Sequence, residues 1–545
     1  MSSENFQTVY EAFVATTEKS PDNAFLCVPK TEGRDYYPEG VEFTYAQSLA
    51  EIDKFREVYK SAGFGHGHRV AILMGQRPEF FFHYLALNSL GVGTIPINPE
   101  YRHDETLYQM EDSDADLAIA IASRVDDLEA VSRERKRPLP VINVEDFPSS
   151  LPSPGSAPKS GAPNRKSEAS VLYTSGTTGR PKGCMLENDY FITAGQLYIT
   201  KGGRLNVEYG KDRLFNPLPV FHMNGQALAP TAMILSGNCL ILPDRFHPTS
   251  WWDEIKQTGA TMIHYLGAVP PMLMNQPSNG DEKQPQIKFG LGAGIDPQLH
   301  IDFEARFGFP LVEVWGMTET GRIFADCIEP RKIDTRAFGS ANEDEMEALI
   351  MGEDGVTPCG VDEPGELLVR CRGDNPKKGF FQEYINKPDA TDEAWEGGWF
   401  HTGDIVRRDA EGMMYFVDRK KNIIRRSGEN IAAAEIEACM NGHDYVAASA
   451  VIAAPDEVRE EEVMACLVLM EGVEKSEKVA HELMEHALEK LAYYKTPGWF
   501  LFLDDLPMTG SQKIQKSRIF EPGEDPRESV GIIDTRSMKK RRKAS

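Results

Sequence analysis

Between residues 40 and 125 the apolar positions alternate between two spacings. Residues 44–62 carry them at helical intervals, and Arg69-Val70-Ala71-Ile72-Leu73-Met74 then forms a nearly unbroken apolar run, as expected of a strand covered on both faces. Residues 79–90 return to the helical pattern, Gly93-Thr94-Ile95-Pro96-Ile97 reads as a second strand, and residues 116–121 as a third after another helix. Such alternation predicts βαβ units around a parallel sheet. From about residue 332 to 418 short strand-like pieces dominate, among them Gly365-Glu366-Leu367-Leu368-Val369-Arg370 and Gly412-Met413-Met414-Tyr415-Phe416-Val417, separated by Gly-rich turns. This predicts a β-rich subdomain closing the large domain. Beyond Asn422 a smaller mixed unit follows, with helices over 432–440 and 476–491, strands over 446–453 and 462–470, and Ser476 as an N-cap.

The expected class is α/β: a large N-terminal domain of βαβ subdomains plus the β-rich subdomain, then a small α+β C-terminal domain. The boundary is placed where charged residues replace an apolar strand, Asp418-Arg419-Lys420-Lys421-Asn422, giving domains 1–419 and 420–525. Residues 147–167, rich in Pro, Ser, Gly and Lys, read as a surface connection. Residues 526–545, ending in Lys539-Lys540-Arg541-Arg542-Lys543, read as a disordered basic tail.

A chain of 545 residues is too long for one core. Its net charge of −25 argues against a general nucleic-acid binder. No apolar run approaches the roughly 20 residues of a membrane helix, and the N-terminus lacks the basic and apolar regions of a signal peptide. Eight scattered cysteines form no Cys-x-x-Cys pair, so idle thiols in a reducing cytoplasm are expected. The oligomeric state is not fixed by these features, and a homodimer stays open.

Chemistry concentrates in Leu172-Tyr173-Thr174-Ser175-Gly176-Thr177-Thr178-Gly179-Arg180-Pro181-Lys182-Gly183. The glycines allow backbone N–H groups close to an anion. The hydroxyls of Thr174, Ser175, Thr177 and Thr178 can donate to phosphate oxygens, and Lys182 adds a positive charge. Pro181 between Arg180 and Lys182 separates the string from the common P-loop.

This string resembles the signature of the adenylate-forming enzymes: acyl-CoA synthetases, luciferases and peptide-synthetase adenylation domains. Five further elements follow in the family's order: Trp315-Gly316-Met317-Thr318-Glu319; Gly398-Trp399-Phe400-His401-Thr402-Gly403-Asp404; the hinge-like Asp418-Arg419-Lys420-Lys421-Asn422 with Ser427-Gly428-Glu429-Asn430; and Pro507-Met508-Thr509-Gly510-Ser511-Gln512-Lys513. The resemblance implies an AMP-forming acyl-CoA synthetase that uses ATP, Mg²⁺ and coenzyme A to convert a carboxylic acid through an acyl-adenylate into a thioester. It implies that Ser175, Gly176, Thr177, Thr178, Gly179 and Lys182 hold the β- and γ-phosphates, Thr318 meets the α-phosphate and Glu319 ligates Mg²⁺. Gly292-Ala293-Gly294, Trp315, Gly316 and Met317 would border adenine, and Asp404 and Arg419 the ribose. Lys513 would be the catalytic lysine of a mobile C-terminal domain, Lys421 the hinge, and Gly428 the neighbour of the CoA arm.

Pro217-Leu218-Pro219-Val220-Phe221-His222-Met223-Asn224-Gly225 resembles the segment lining the acyl pocket, which makes His222, Asn224, Gly225, Tyr265, Gly267 and Arg322 candidates for substrate contact. The closest branch in pattern is that of carnitine/crotonobetaine and medium-chain acyl-CoA ligases, and the polar candidates hint at a short or functionalised acid. The chain departs from the family in having Gln512 where glycine is usual. Two rival readings are an adenylation enzyme that loads a separate carrier protein and a silent acyl-adenylate binder.

Overall fold

The computed structural model describes residues 6–174, 181–278, 282–284, 286–341, 345–427, 429–508, 514–521 and 523–539, with Asn430 described by its backbone only. Packing divides the chain into two compact units: residues 1–347 with 370–400, and residues 348–369 with 401–545.

The first unit is built on two sheets. One runs in the order Val141–Asn143, Leu117–Ala120, Arg69–Leu73, Gly93–Pro96, Glu168–Thr174, Lys182–Glu187. Its first five strands are parallel and its last pair antiparallel. The apolar run at 69–74 gives the central strand, buried on both faces. Helix Pro78–Ser89 is buried nearly all round, through Phe80, Phe81, Phe82 and Tyr84 among others. Helix Tyr45–Ser61 begins at a capping box, Thr44 Oγ1 accepting the Gln47 N–H while the Gln47 side chain accepts the Thr44 N–H.

The second sheet runs Ile323–Ala325, Leu311–Gly316, Phe289–Ala293, Met262–Leu266, Arg213–Phe215, Cys239–Ile241, Ala24–Val28, Val41–Thr44. All but its two outermost strands are parallel. The residues just past four neighbouring strands, Asn216, Gly267, Gly294 and Met317, therefore share one edge of the sheet. In open parallel sheets that carboxyl edge is where ligands bind.

In the second unit, Phe400–Arg408 and Met414–Arg419 form an antiparallel pair, and Thr402 Oγ1 donates to the Leu367 carbonyl at 2.7 Å. A further sheet follows the order Glu429–Ala432, Ile423–Arg426, Glu460–Leu469, Trp499–Leu503, Ile533–Asp534, with Val446–Asp456 also paired to Glu460–Leu469. Helices Ala433–Asn441 and Glu477–Lys490 bury Ile436, Met440, Leu483 and Met484 against this sheet, and Ser476 caps the second helix by accepting the Val479 N–H.

Two features differ from the expectation. Residues 348–369 and 401–419 pack with the C-terminal unit, because the strands of the β-rich stretch pair with one another and Asp418 accepts the backbone N–H of Ala434. The basic tail is not free from residue 526 onward: Ile533–Asp534 joins a sheet, and Thr535 and the Lys539 side chain are buried. Only residues 540–545 of the tail lie outside the described residues.

Candidate active site

Thr174 and Lys182 end and begin two strands and are paired in register, so the phosphate-type segment springs from one sheet end. Ser175, Gly176, Thr177, Thr178 and Gly179 lie outside the described residues. Thr174 Oγ1 donates to the Lys182 carbonyl at 3.4 Å and lies 4.0 Å from Cys184 Sγ. Burial, and then the charge of Glu319, raise the Cys184 thiol pKa.

Lys182 Nζ sits 4.4 Å from the centre of the Tyr384 ring. The Tyr384 hydroxyl donates to Glu319 Oε1 at 2.9 Å. Burial and the Glu319 carboxylate both hold the Tyr384 proton on, raising its pKa. Glu319 itself is 6% exposed. Its neighbour Thr318 is fixed through its carbonyl, which accepts the Tyr190 hydroxyl at 2.7 Å. Two motifs separated by more than 130 residues thus meet on one tyrosine that the sequence reading did not name. Its only signal was an aromatic run, Phe380, Phe381 and Tyr384.

A second cluster lies along the carboxyl edge of the second sheet. Tyr265 and Gly292 are register partners. Gly267 passes so close to the next loop that a Cβ there would lie 2.3 Å from the Gly294 carbonyl oxygen. Glu313, also absent from the candidate list, accepts the Gly294 N–H and the Tyr265 hydroxyl. Burial pushes the Glu313 carboxyl pKa up to about 8, against the opposing pull of the Gly294 and Ile295 N–H groups. Trp315 is 6% exposed and stacks on Phe324 with ring centres 5.2 Å apart, while Gly316 and Met317 follow at the strand end.

Asn224 opens a π-turn, Asn224–Leu228, that also contains buried Gly225. Such turns recur at functional sites. Asn216 Oδ1 accepts the Leu218 N–H, which directs its amide nitrogen onto Asn224 Oδ1 at 3.1 Å. His264 Nδ1 lies 2.8 Å from the same oxygen and His264 Nε2 lies 2.9 Å from the Tyr198 hydroxyl. Because Nδ1 faces the acceptor Asn224 Oδ1, His264 carries its proton there and accepts from Tyr198. Burial lowers the His264 pKa to about 3, keeping it neutral. His222 precedes this turn, its carbonyl accepting the Gln226 N–H at 3.0 Å.

The Arg322 guanidinium is buried and donates to the carbonyls of Thr320 and Lys378, at 3.2 and 2.6 Å, holding chain segments together.

In the second unit Asp404, 2% exposed, forms an ion pair with Arg419, its Oδ1 3.0 Å from Nε. Lys421 lies in the 3₁₀ turn Lys420–Asn422, its pKa lowered by burial and by the neighbouring Arg419 and Lys516 charges. Gly428 and Lys513 lie outside the described residues.

The donor set fits magnesium–ATP. Glu319 offers a single carboxylate, joined to the Lys182 ammonium through Tyr384, which suits Mg²⁺ because that ion takes most of its ligands from phosphate oxygens and water.

The AMP-binding enzyme family matches residues 13–381, and the AMP-binding enzyme C-terminal domain matches residues 435–513. A sulfoacetate–CoA ligase of Cupriavidus necator is 28% identical over 95% of this chain and 98% of its own length. A crotonobetaine/carnitine–CoA ligase of Citrobacter koseri is 31% identical over 88% of this chain and 94% of its own. Among solved structures, the o-succinylbenzoate CoA synthetase of Bacillus subtilis, bound to its acyl-adenylate intermediate, superposes with a TM-score of 0.79 at 25% identity, over 94% of this chain and 98% of that one. The chain belongs to the AMP-binding enzyme family and is an AMP-forming carboxylic acid–CoA ligase.

Proposed function

We propose that this ligase activates a small carboxylic acid whose far end carries a hydrogen-bond acceptor, and that Lys513 serves the first of its two half-reactions. The observation that supports the division of labour is the meeting of Lys182 and Glu319 on Tyr384. One tyrosine touching both an ammonium and a carboxylate supports a site for a triphosphate with its metal.

In this reading loop 175–182 and Thr318 hold the phosphates, and Glu319 holds Mg²⁺, which when bound neutralises phosphate charge. Gly292, Ala293, Gly294, Trp315, Gly316 and Met317 border the base. Asp404 accepts from ribose hydroxyls, with Arg419 orienting it. A carboxylate attacks a polyanion poorly, so Lys513 is assigned to neutralise both partners as they approach. Lys421 is the hinge on which the C-terminal domain moves, and Gly428 lies beside the pantetheine arm. His222, Asn224, Gly225, Tyr265 and Gly267 line the acyl side.

The substrate class rests on Asn224. Its Oδ1 is taken by two donors, Asn216 and His264, so the group left for a ligand is the amide NH₂, a donor. It suits an acceptor such as a sulfonate, carboxylate or carbonyl oxygen. Sulfoacetate, the acid named for one relative, ends in such a group. The eight cysteines are all unpaired and seven are buried, which supports a cytoplasmic setting. The acidic net charge supports the absence of a nucleic-acid partner. Sedimentation would distinguish a homodimer from a monomer.

A panel of acids scored by CoA-dependent AMP release tests the substrate class. Asn224→Asp should lower kcat/KM for acids with anionic far ends by about tenfold or more while sparing unsubstituted acids. Equal effects on both would contradict the assignment.

A further inference from the structure

The match to the family's C-terminal domain ends at residue 513, yet the chain goes on to build structure. Ile533–Asp534 pairs with the Trp499–Leu503 strand. Thr535, fully buried, donates its hydroxyl to the Pro497 carbonyl and its N–H to that of Gly498, each at 2.9 Å. Four residues later Lys539, its side chain 3% exposed, reaches Glu462 Oε1 at 2.5 Å. Glu462 is itself fully buried and receives Arg426 Nε at 2.8 and 2.9 Å and the Val463 N–H at 2.8 Å. Gly498 makes room for it, since a Cβ there would lie 2.5 Å from Glu462 Cγ.

A second link runs parallel to the first. Arg536 lies over the Trp499 ring and donates to Asp456 at 3.1 Å. Asp456 also accepts the Val458 and Arg459 N–H groups, shaping the turn between the two long strands. The Arg459 carbonyl in turn accepts the Ser427 N–H at 3.0 Å. Both links end at adjacent residues, Arg426 and Ser427. Arg426 pairs with Glu429 across this hairpin, and Ser427 has φ +51°, a conformation uncommon for residues that carry a side chain.

We propose that residues 533–539 buttress the turn at Arg426 and Ser427, with Lys539 a positioning residue for thioester formation acting through Glu462 and Arg426. This rests on the reading that Gly428 lies beside the CoA arm. A buried carboxylate shared by two cations accepts few arrangements, and such groups fix register more than they add stability. Replacing Lys539 leaves the Arg426–Glu462 pair in place, so the fold survives while the turn loosens.

The test uses full-length Lys539→Met, Lys539→Arg and Gly428→Val, each assayed for pyrophosphate exchange and for CoA kinetics with supplied acyl-adenylate. Lys539→Met should keep exchange within about twofold of the parent and raise the KM for CoA about tenfold, and Lys539→Arg should recover most of that loss. An unchanged KM in Lys539→Met, with Gly428→Val blocked, overturns the buttress. Equal loss of exchange and thioester formation in Lys539→Met overturns it too, since a general loss of fold would act on both. Normal thioester formation in Gly428→Val overturns the reading of Gly428 on which the proposal rests.

Discussion

Tyr384 links two charges through different parts of one side chain, its hydroxyl on Glu319 and its ring face toward Lys182. Tyr384→Phe keeps the ring and removes the hydrogen bond to a nearly buried carboxylate, an interaction of about 1.5–3 kcal/mol. Adenylation kcat/KM for MgATP should fall about tenfold to a hundredfold, measured by pyrophosphate exchange. Glu313 carries a pH prediction. Its folded-state pKa, about 8, lies above the ordinary carboxylate range, so the native chain holds a proton that the unfolded chain has released. Stability from this group is complete below the unfolded pKa and is lost as pH rises toward 8. Glu313→Gln should flatten that part of a Tm–pH curve, and an identical slope in both proteins would refute it. At this scale the motif residues were legible because each carries unusual chemistry in a fixed string. Tyr384 and Glu313 were not, because an ordinary tyrosine and a strand glutamate gain meaning only from what the fold brings to them.

Helices and strands followed from spacing where one face had to be buried. The run at 69–74 and the alternation through residue 121 gave three of the six strands of one sheet in the first unit nearly residue by residue, and Ser476 begins its helix as capping chemistry requires, as Thr44 does. Thr44→Ala removes the Oγ1 acceptor and should cost about 1 kcal/mol, seen as a lower Tm with unchanged pyrophosphate exchange. The π-turn Asn224–Leu228 left no trace in the pattern, since a single widened turn changes neither composition nor period. Its neighbours Asn216, His264 and Tyr198 come from three separate segments, so the network that orients Asn224 could be read only after folding. Arg322 shows the converse: a polar residue beside a motif, whose buried guanidinium hydrogen-bonds the Thr320 and Lys378 carbonyls.

For the whole molecule, motif order identified the reaction, and the alternation of patterns identified two units of different build. The course of the boundary through the β-rich stretch depends on which strands pair across long sequence distances, which local pattern does not encode. The C-terminal tail was misread for a related reason: Lys539 belongs to a basic run, and basic runs are ordinarily solvated, but here a buried Glu462 is waiting for it. Adenylation is proposed to depend on Lys513 of the smaller domain acting on phosphates that Lys182 and Glu319 of the larger one would hold. The most direct test is to measure both half-reactions in Lys513→Ala. Pyrophosphate exchange should fall about a thousandfold while thioester formation from supplied acyl-adenylate stays within about threefold of the parent. Equal loss of the two, or an exchange rate left intact, would contradict it.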